Sequence, residues 1–252
     1  MQLDGTHAVV TGGGTGIGAA IAHALAAEGA RLTLIGRRRE PLETVAAKVG
    51  GFVAAADVTD RAQVDTAFAA ARAAHGPITI LINNAGAAQS RSFAKLDFSA
   101  WRSAMAVNLD SLFHCCQAAL PDLLAAPNGR IVTIASTAGL KGYAYTAPYV
   151  AAKHGAVGLM RALAVEHART RLTANAVCPG FTDTEIVAEA IATIRGKTGR
   201  SEDEARAELA KFNPQGRLIA PSEVAGAVLW LCLAESRSIN GQAIAVDGGE
   251  VS

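Results

Sequence analysis

A single α/β domain is what this sequence predicts, and three observations carry the prediction. Short apolar runs rich in β-formers recur along the chain with helical segments between them, the alternation that builds a sheet covered by helices. The first of these runs breaks into a cluster of glycines and then a helix. No Pro/Ser-rich linker, charge block or internal repeat divides the 252 residues.

The elements follow in order. Ala8 to Val10 is a short strand that breaks into T-G-G-G-T-G-I-G (Thr11 to Gly18), and the next residues read as a helix ending at Gly29. Strand, glycine turn and helix form a phosphate-binding context: missing side chains let the backbone approach a pyrophosphate, and the helix N-terminus offers free N–H groups and a positive dipole end. The strict G-x-G-x-x-G fingerprint fails, because Gly12 and Gly14 would need glycine at Ile17. The spacing that fits is T-G-x-x-x-G-x-G, through Gly12, Gly16 and Gly18. A glycine turn with no ligand is the bland alternative.

Arg31 to Ile35 is the second strand, and the residues after it bear on the cofactor. An acid there would bind a ribose 2′-hydroxyl, whereas an arginine accommodates a 2′-phosphate. The chain has G-R-R-R, Gly36 to Arg39, so Arg37 and Arg38 favour NADP(H) over NAD(H). Solvated arginines opening the next helix are the competing reading. Gly51 to Ala55 forms a third strand, ending in Asp57-Val58 and followed by a helix from Arg61 to His75. Asp57 is open to two readings, an acceptor for an adenine amino group or a helix cap.

Ile78 to Ile82 is a fourth strand entering N-N-A-G, Asn83 to Gly86, where side-chain amides can hold neighbouring turns and Ala85-Gly86 leaves room for a ribose. Asn108 lies inside a long helical segment from Ser99 to about Ala126. Asparagine is a poor helix residue unless it competes for a backbone group or water, so Asn108 is a candidate for bending the helix near a site. Ile131 to Ala135 reads as a buried strand ending at Ser136. A helix rich in good formers runs from Ala147 to Leu163, and a strand from Leu172 to Val177 leads into P-G-F-T-D-T, Pro179 to Thr184.

From there to Arg217 the chain turns polar and charged, with two short helices expected around a break at Gly196 to Ser201. Such an insertion, about 183 to 217, reads as a mobile lid or an interaction surface. Its bases Arg195, Lys197, Arg200, Arg206 and Lys211 could attract an anionic substrate or simply be solvated. A helix from Pro221 to Glu235 and a strand from Gln242 to Val246 complete the order.

Composition narrows the function classes. Half of the residues are hydrophobic, and Lys+Arg (23) nearly balances Asp+Glu (22) for a net charge of +1, so nothing points to nucleic acid or an anionic membrane. The expected partner is a small molecule. Cys115, Cys116, Cys178 and Cys232 lack metal-ligand spacing and are expected as free buried thiols, with no metal. The first residues show no signal peptide, and six glycines in the uncharged stretch Gly5 to Ala27 argue against a spanning helix there. A cytoplasmic protein is expected.

The chemistry centres on Ser136 to Lys153. Tyr149 and Lys153 are four residues apart, so one helical face carries a phenol and an ammonium. A cation that close would lower the tyrosine pKa from about 10 towards the range of a general acid/base. Of the three tyrosines, Tyr143, Tyr145 and Tyr149, only Tyr149 has a lysine one turn on. A surface pair is the bland reading, since the pattern is common by accident.

With T-G-G-G-T-G-I-G, N-N-A-G, Asn108, Ser136, Tyr149-Val150-Ala151-Ala152-Lys153 and P-G-F-T-D-T assembled in order, the chain resembles the short-chain dehydrogenase/reductase family from Leu3 to Gly249. The resemblance implies one doubly wound Rossmann-like domain over 1–252, a seven-stranded parallel sheet with helices on both faces, and a homotetramer. It makes Tyr149 the general acid of reduction and general base of oxidation. Lys153 lowers the Tyr149 pKa and binds the nicotinamide ribose, Ser136 bonds the substrate oxygen, and Asn108 orders a water for the proton relay.

By the same resemblance the cofactor is held by Gly12, Thr15, Gly16, Ile17, Gly18, Arg37, Arg38, Asp57, Val58, Asn84, Ala85, Gly86, Tyr149, Lys153, Pro179, Gly180, Thr182 and Thr184. NADP(H) is favoured and NAD(H) is the alternative; many NADP(H)-using members carry a base inside the glycine turn, where Gly13, Gly14 and Thr15 are neutral here. Asn213 to Ala225 and the basic lid are similar to members acting on 3-oxoacyl thioesters or polyketides. The first expectation is therefore 3-oxoacyl/3-hydroxyacyl thioester oxidoreduction. An NAD(H)-dependent secondary-alcohol, sugar or 3-hydroxyacyl dehydrogenase comes next, then a non-catalytic sensor or scaffold, a class that typically lacks the tyrosine or the lysine.

Overall fold

The computed structural model describes residues 1–251. Seven strands, β1 (His7–Thr11), β2 (Arg31–Gly36), β3 (Phe52–Ala55), β4 (Ile80–Asn83), β5 (Arg130–Ile134), β6 (Thr173–Pro179) and β7 (Ala243–Val246), form one sheet in the order β3-β2-β1-β4-β5-β6-β7. Every pairing is parallel. A parallel sheet needs cover on both faces, and the strand sequences supply it by alternating two apolar sets. Val9, Leu81, Ile131 and Ala176 point into one core, against α3 (Arg61–His75), α5 (Ser111–Ala125) and α6 (Ala147–Glu166). Val10, Ile82, Val132 and Val177 point into the other, against α1 (Gly16–Ala27), α2 (Arg39–Val49) and α9 (Pro221–Cys232). Each Leu, Ile or Phe buried in these layers, such as Leu25 or Phe68, contributes about 1.5–3 kcal/mol relative to an exposed position.

Strand order reverses between β1 and β4, both parallel neighbours in the middle of the sheet. The crevice outside the strand C-termini at such a reversal is where open α/β sheets bind ligands. Into that edge run the glycine turn after β1, Asn83 to Gly86 after β4, Ser136 after β5 and Gly180 after β6.

The long helix expected around Asn108 is present and continuous, with a π-turn inserted at Asn108. α4 (Phe98–Met105) passes into a π-turn, Ala106–Asp110, before α5 begins. Past β6, α7 (Glu185–Thr198) runs straight through Gly196, and the chain breaks at Gly199, whose φ of +69° ends the helix, before α8 (Glu202–Ala210) starts. Ser201 and Glu204 close a reciprocal capping box that fixes this start. Val187, Ile191, Ala205, Leu209 and Leu218 give α7 and α8 a small core of their own.

Candidate active site

The turn from β1 into α1 shows why its glycines sit where they do. Gly12 and Gly16 take φ of +64° and +51°, and a Cβ at Gly18 would overlap the carbonyl oxygen of Gly12. α1 therefore starts against the strand it leaves, with Ile17 packed on the sheet core. Thr15 is the N-cap, but its side chain accepts no hydrogen bond from the helix and no acid occupies the first turn. The first N–H groups of α1 are left facing the crevice beside a backbone free of side chains, which fits a pyrophosphate.

Neighbouring turns hold this cradle in place. Asn84 Nδ2 donates to the carbonyls of Thr11 (3.0 Å) and Gly12 (3.1 Å), while the Asn84 and Ala85 amides donate to Thr11 Oγ1 at 3.0 and 3.1 Å. Asn84 thus works as a strut for the glycine turn. Gly86 leaves space between Asn108 Oδ1 and Lys153 Nζ, which would stand 3.0 and 3.6 Å from a Cβ there.

At the end of β2, the three arginines divide. Arg39 is the first residue of α2 and donates to Glu43 at 3.2 Å; Arg38 Nη2 donates to Glu185 Oε2 at 3.0 Å; Arg37 is exposed and forms no ion pair among the described residues. Asp57 does not cap α3, because Asp60 takes that place and accepts from the amides of Ala62 and Gln63. Asp57 Oδ1 instead accepts from the amide and hydroxyl of Thr59 (2.9 and 2.8 Å), and Val58 is buried behind it.

Asn108 is buried, not exposed as most asparagines in helices are. It sits in the π-turn, where its Nδ2 donates to Ala104 O (3.0 Å) and Ala87 O (2.9 Å), and its Oδ1 accepts from the Ala87 amide (3.2 Å). The extra residue of a π-turn frees backbone groups that this amide then meets. Asn108 so ties the helix to the segment beyond Gly86.

Ser136 follows the end of β5 and caps the short turn Thr137–Gly139 by accepting from the Ala138 amide at 3.1 Å. A Cβ on Gly139 would stand 2.8 Å from the carbonyl of Lys153, so glycine there lets α6 approach closely enough to bring its face to Ser136. Tyr149 and Lys153 do share that face. Lys153 is buried, and its Nζ donates to Ile134 O at 2.8 Å while lying over the Tyr149 ring, 5.6 Å from the centroid.

The expected lowering of the tyrosine pKa is corrected here. Burial of the phenol raises it above its ordinary value, with the Ser136 hydroxyl pulling the other way by hydrogen bonding. The ammonium gives a hydrogen bond to the Ile134 carbonyl, and desolvation outweighs the charge it lends the phenol. The same burial pulls Lys153 down to about 8.

On the far side, Thr182 Oγ1 donates to Gly180 O (3.0 Å) and Thr184 Oγ1 to Thr182 O (3.2 Å), and Pro179 ends β6. Thr184 reaches back to the glycine turn, with its γ2 methyl 3.0 Å from where a Gly16 Cβ would be. The basic character expected of the lid is largely cancelled. Arg195 pairs with Glu202, Arg200 and Lys211 with Glu208, and Arg206 with Asp183, leaving Lys197 without an ion pair among the described residues.

Two features of the site carried no sequence signal. A cavity beside Tyr149 is walled by Gln89, Arg91, Leu96, Val107 and Pro148, residues brought together from three separate segments. Glu250, near the end of the chain, buries its carboxylate on Lys141 and Tyr143, which follow Ser136.

A profile described as short chain dehydrogenase matches residues 6–195. The chain belongs to the short-chain dehydrogenase family. As a member of it, the protein is an NAD(P)-dependent oxidoreductase acting on the CH–OH/C=O couple. Among its relatives in the family, ketoacyl reductase 1 assigned to the granaticin polyketide synthase of Streptomyces violaceoruber is 40% identical, over 96% of this chain and 92% of the relative. D-beta-hydroxybutyrate dehydrogenase of Cupriavidus necator is 34% identical over the full length of both. The crystal structure of a substituted actinorhodin polyketide ketoreductase with NADPH superposes on this short-chain dehydrogenase with a TM-score of 0.95 at 34% identity, over 100% of this chain and 99% of that one.

Proposed function

We propose that this short-chain dehydrogenase is an NADP(H)-dependent ketoreductase interconverting a 3-oxoacyl thioester and its 3-hydroxyacyl thioester. The observation that carries the reading is the convergence of Ser136, Tyr149, Lys153 and Asn108 on one end of the sheet, beside a glycine cradle and a cavity. Arg37, uncommitted at the end of β2, suits a 2′-phosphate. The granaticin ketoacyl reductase and the NADPH-bound actinorhodin ketoreductase support the choice of substrate and cofactor. The D-beta-hydroxybutyrate relative favours a second reading, oxidation of a 3-hydroxyacid.

The bound nicotinamide supplies or accepts a hydride at the substrate carbon. The chain's part is at the oxygen. Negative charge builds there as the carbonyl is reduced, and the Ser136 and Tyr149 hydroxyls are placed to donate to it. Tyr149 then gives its proton, acting as general acid; in oxidation it takes one. Lys153 holds a positive charge behind the phenol, which stabilises the phenolate left when the proton departs. Asn108 positions the backbone at Ala87 and orders a water that returns the proton. Gly12, Gly16 and Gly18 with the α1 N-terminus hold the pyrophosphate, Asp57 and Val58 the adenine, and Thr182 and Thr184 the carboxamide. The 183–217 segment closes over the substrate.

The test is turnover of NADPH and of NADH with acetoacetyl-CoA, wild type against Tyr149→Phe. NADPH oxidation by the wild type that Tyr149→Phe reduces at least a hundredfold supports the reading. Retained turnover in the variant overturns the mechanism; turnover only with NAD⁺ and 3-hydroxybutyrate selects the second reading.

A further inference from the structure

We propose that Glu185, the first residue of α7, sets the cofactor preference by competing with the 2′-phosphate of NADP(H) for Arg38. The inference rests on the NADP(H) reading above. Arg38 is the last residue before α2, at the end of the strand where a 2′-substituent is read, yet its guanidinium is turned across the crevice to Glu185 at 3.0 Å. These two residues are 147 apart in sequence and come from opposite sides of the crevice.

The carboxylate is placed there by its neighbours. Thr184 packs against Gly16 of the glycine turn, the Asp183 amide donates to Ile219 O at 2.9 Å, and the Asp183 carboxylate is held by Arg206. Residues 182–185 are therefore held against the cradle, with a negative charge at the position where a 2′-phosphate seeks a cation. Two anions cannot share one exposed guanidinium without mutual repulsion. A ribose 2′-hydroxyl carries no charge and is not repelled by the carboxylate, so the repulsion falls on NADP(H) alone.

Its size is bounded by exposure. Side-chain accessibilities of 66% for Arg38 and 59% for Glu185 place the pair in screened solvent, where such bridges shift an equilibrium by a few-fold. The effect must grow as salt is lowered.

The experiment is fluorescence titration of NADPH and NADH at low and at high salt, a concentration of ~0.3 M being enough to screen exposed pairs. The proteins are wild type, Glu185→Gln, Arg38→Ala, Arg38→Ala/Glu185→Gln and Arg37→Ala/Arg38→Ala. Expected is a roughly threefold tightening of NADPH by Glu185→Gln at low salt, no tightening of NADH, and a smaller effect of Glu185→Gln once Arg38 is alanine. Adenosine 2′,5′-bisphosphate, which lacks the nicotinamide half, should show the same pattern by displacement. The proposal is overturned, with the NADP(H) reading intact, if Arg37→Ala/Arg38→Ala weakens NADPH selectively while Glu185→Gln changes nothing, weakens NADPH, or tightens both nucleotides alike. If Arg37→Ala/Arg38→Ala leaves the NADPH-to-NADH ratio at its wild-type value, the NADP(H) reading fails and the proposal with it.

Discussion

Lys153 Nζ stands over the Tyr149 ring, 5.6 Å from its centroid, and donates its hydrogen bond to Ile134 O at 2.8 Å. Burial acts on both groups in the same sense, towards neutrality: it raises the phenol and pulls the ammonium down to about 8. At pH 7 the pair is ammonium and phenol. Above pH 8 the lysine loses its proton first, and the stabilising charge behind a developing phenolate goes with it. We expect kcat/KM for reduction, which reports the free enzyme, to fall through an inflection near pH 8. In Lys153→Arg, whose guanidinium keeps its proton throughout, whatever activity remains should show no such inflection. A wild-type profile flat from pH 7 to 9.5 would remove Lys153 from the proton chemistry.

The same buried lysine bears on stability, with a sign opposite to that of a salt-bridged one. Its native pKa lies below the unfolded value of 10.5, so between about pH 8 and 10.5 the unfolded chain holds a proton that the native chain has released. Stability from this group rises with pH across that window, and below pH 8 the full cost is present, about 3 kcal/mol. Lys153→Met removes the charge and also the hydrogen bond to Ile134, which is worth about 1 kcal/mol. Urea unfolding at pH 7 should find the variant more stable by about 1–2 kcal/mol while turnover is lost, with the gain shrinking at pH 10. A destabilised variant at pH 7 would show that the ammonium is better solvated than its burial implies.

Gly18→Ala tests the close approach of helix and strand. The added Cβ would overlap the Gly12 carbonyl, and backbone on both sides leaves neither group free to move. Overpacking of this kind costs about 1–3 kcal/mol or more, so we expect a loss of about 3 kcal/mol in unfolding free energy together with loss of nucleotide binding. Gly226→Ala in α9 is the control, because nothing lies within 4 Å of its Cβ. That change should stabilise by about 0.5–1 kcal/mol through helix propensity.

These positions also mark what was legible in the sequence. Continuous apolar runs such as Ala8-Val9-Val10 and Leu81-Ile82 carry the two-faced parallel sheet, and the i, i+4 spacing of Tyr149 and Lys153 puts them on one face whatever else the chain does. Spacing is local, and it transmits well. Where the ammonium points is not local: it depends on the free carbonyl of Ile134 at the end of another strand, and so spacing alone gives the wrong direction for the tyrosine shift. The π-turn at Asn108 was legible only as a helix with an ill-suited residue. Pairing of the lid's bases with Glu202, Glu208 and Asp183 depends on how α7 and α8 fold back on each other, which composition does not carry.

Glu250 is the long-range case with the sharpest test. Its carboxylate is only 2% exposed, accepts from the Tyr143 hydroxyl, and pairs with Lys141 at 3.1 Å. Tyr143 in turn bonds Thr137 at 2.6 Å and packs its ring on Phe181 and Phe212 at 6.3 and 6.0 Å between centroids. Burial and the neighbouring carboxylate raise the phenol's pKa, so it remains a donor at neutral pH. The carboxylate therefore joins the end of the chain to the turn after Ser136 and, through Tyr143, to the aromatic side chains below the lid. Glu250→Ala removes the carboxylate from a half-buried phenol that keeps Thr137 and from an ammonium that keeps the residue-250 backbone carbonyl, and should cost about 1–2 kcal/mol in urea unfolding; Glu250→Gln, which keeps an acceptor oxygen, should cost less. Because both residues serve one contact, Glu250→Ala and Tyr143→Phe should combine less than additively, with a coupling of about 1 kcal/mol or more. Strict additivity would mean that Tyr143 and Glu250 are held independently and that the turn after Ser136 does not depend on the end of the chain.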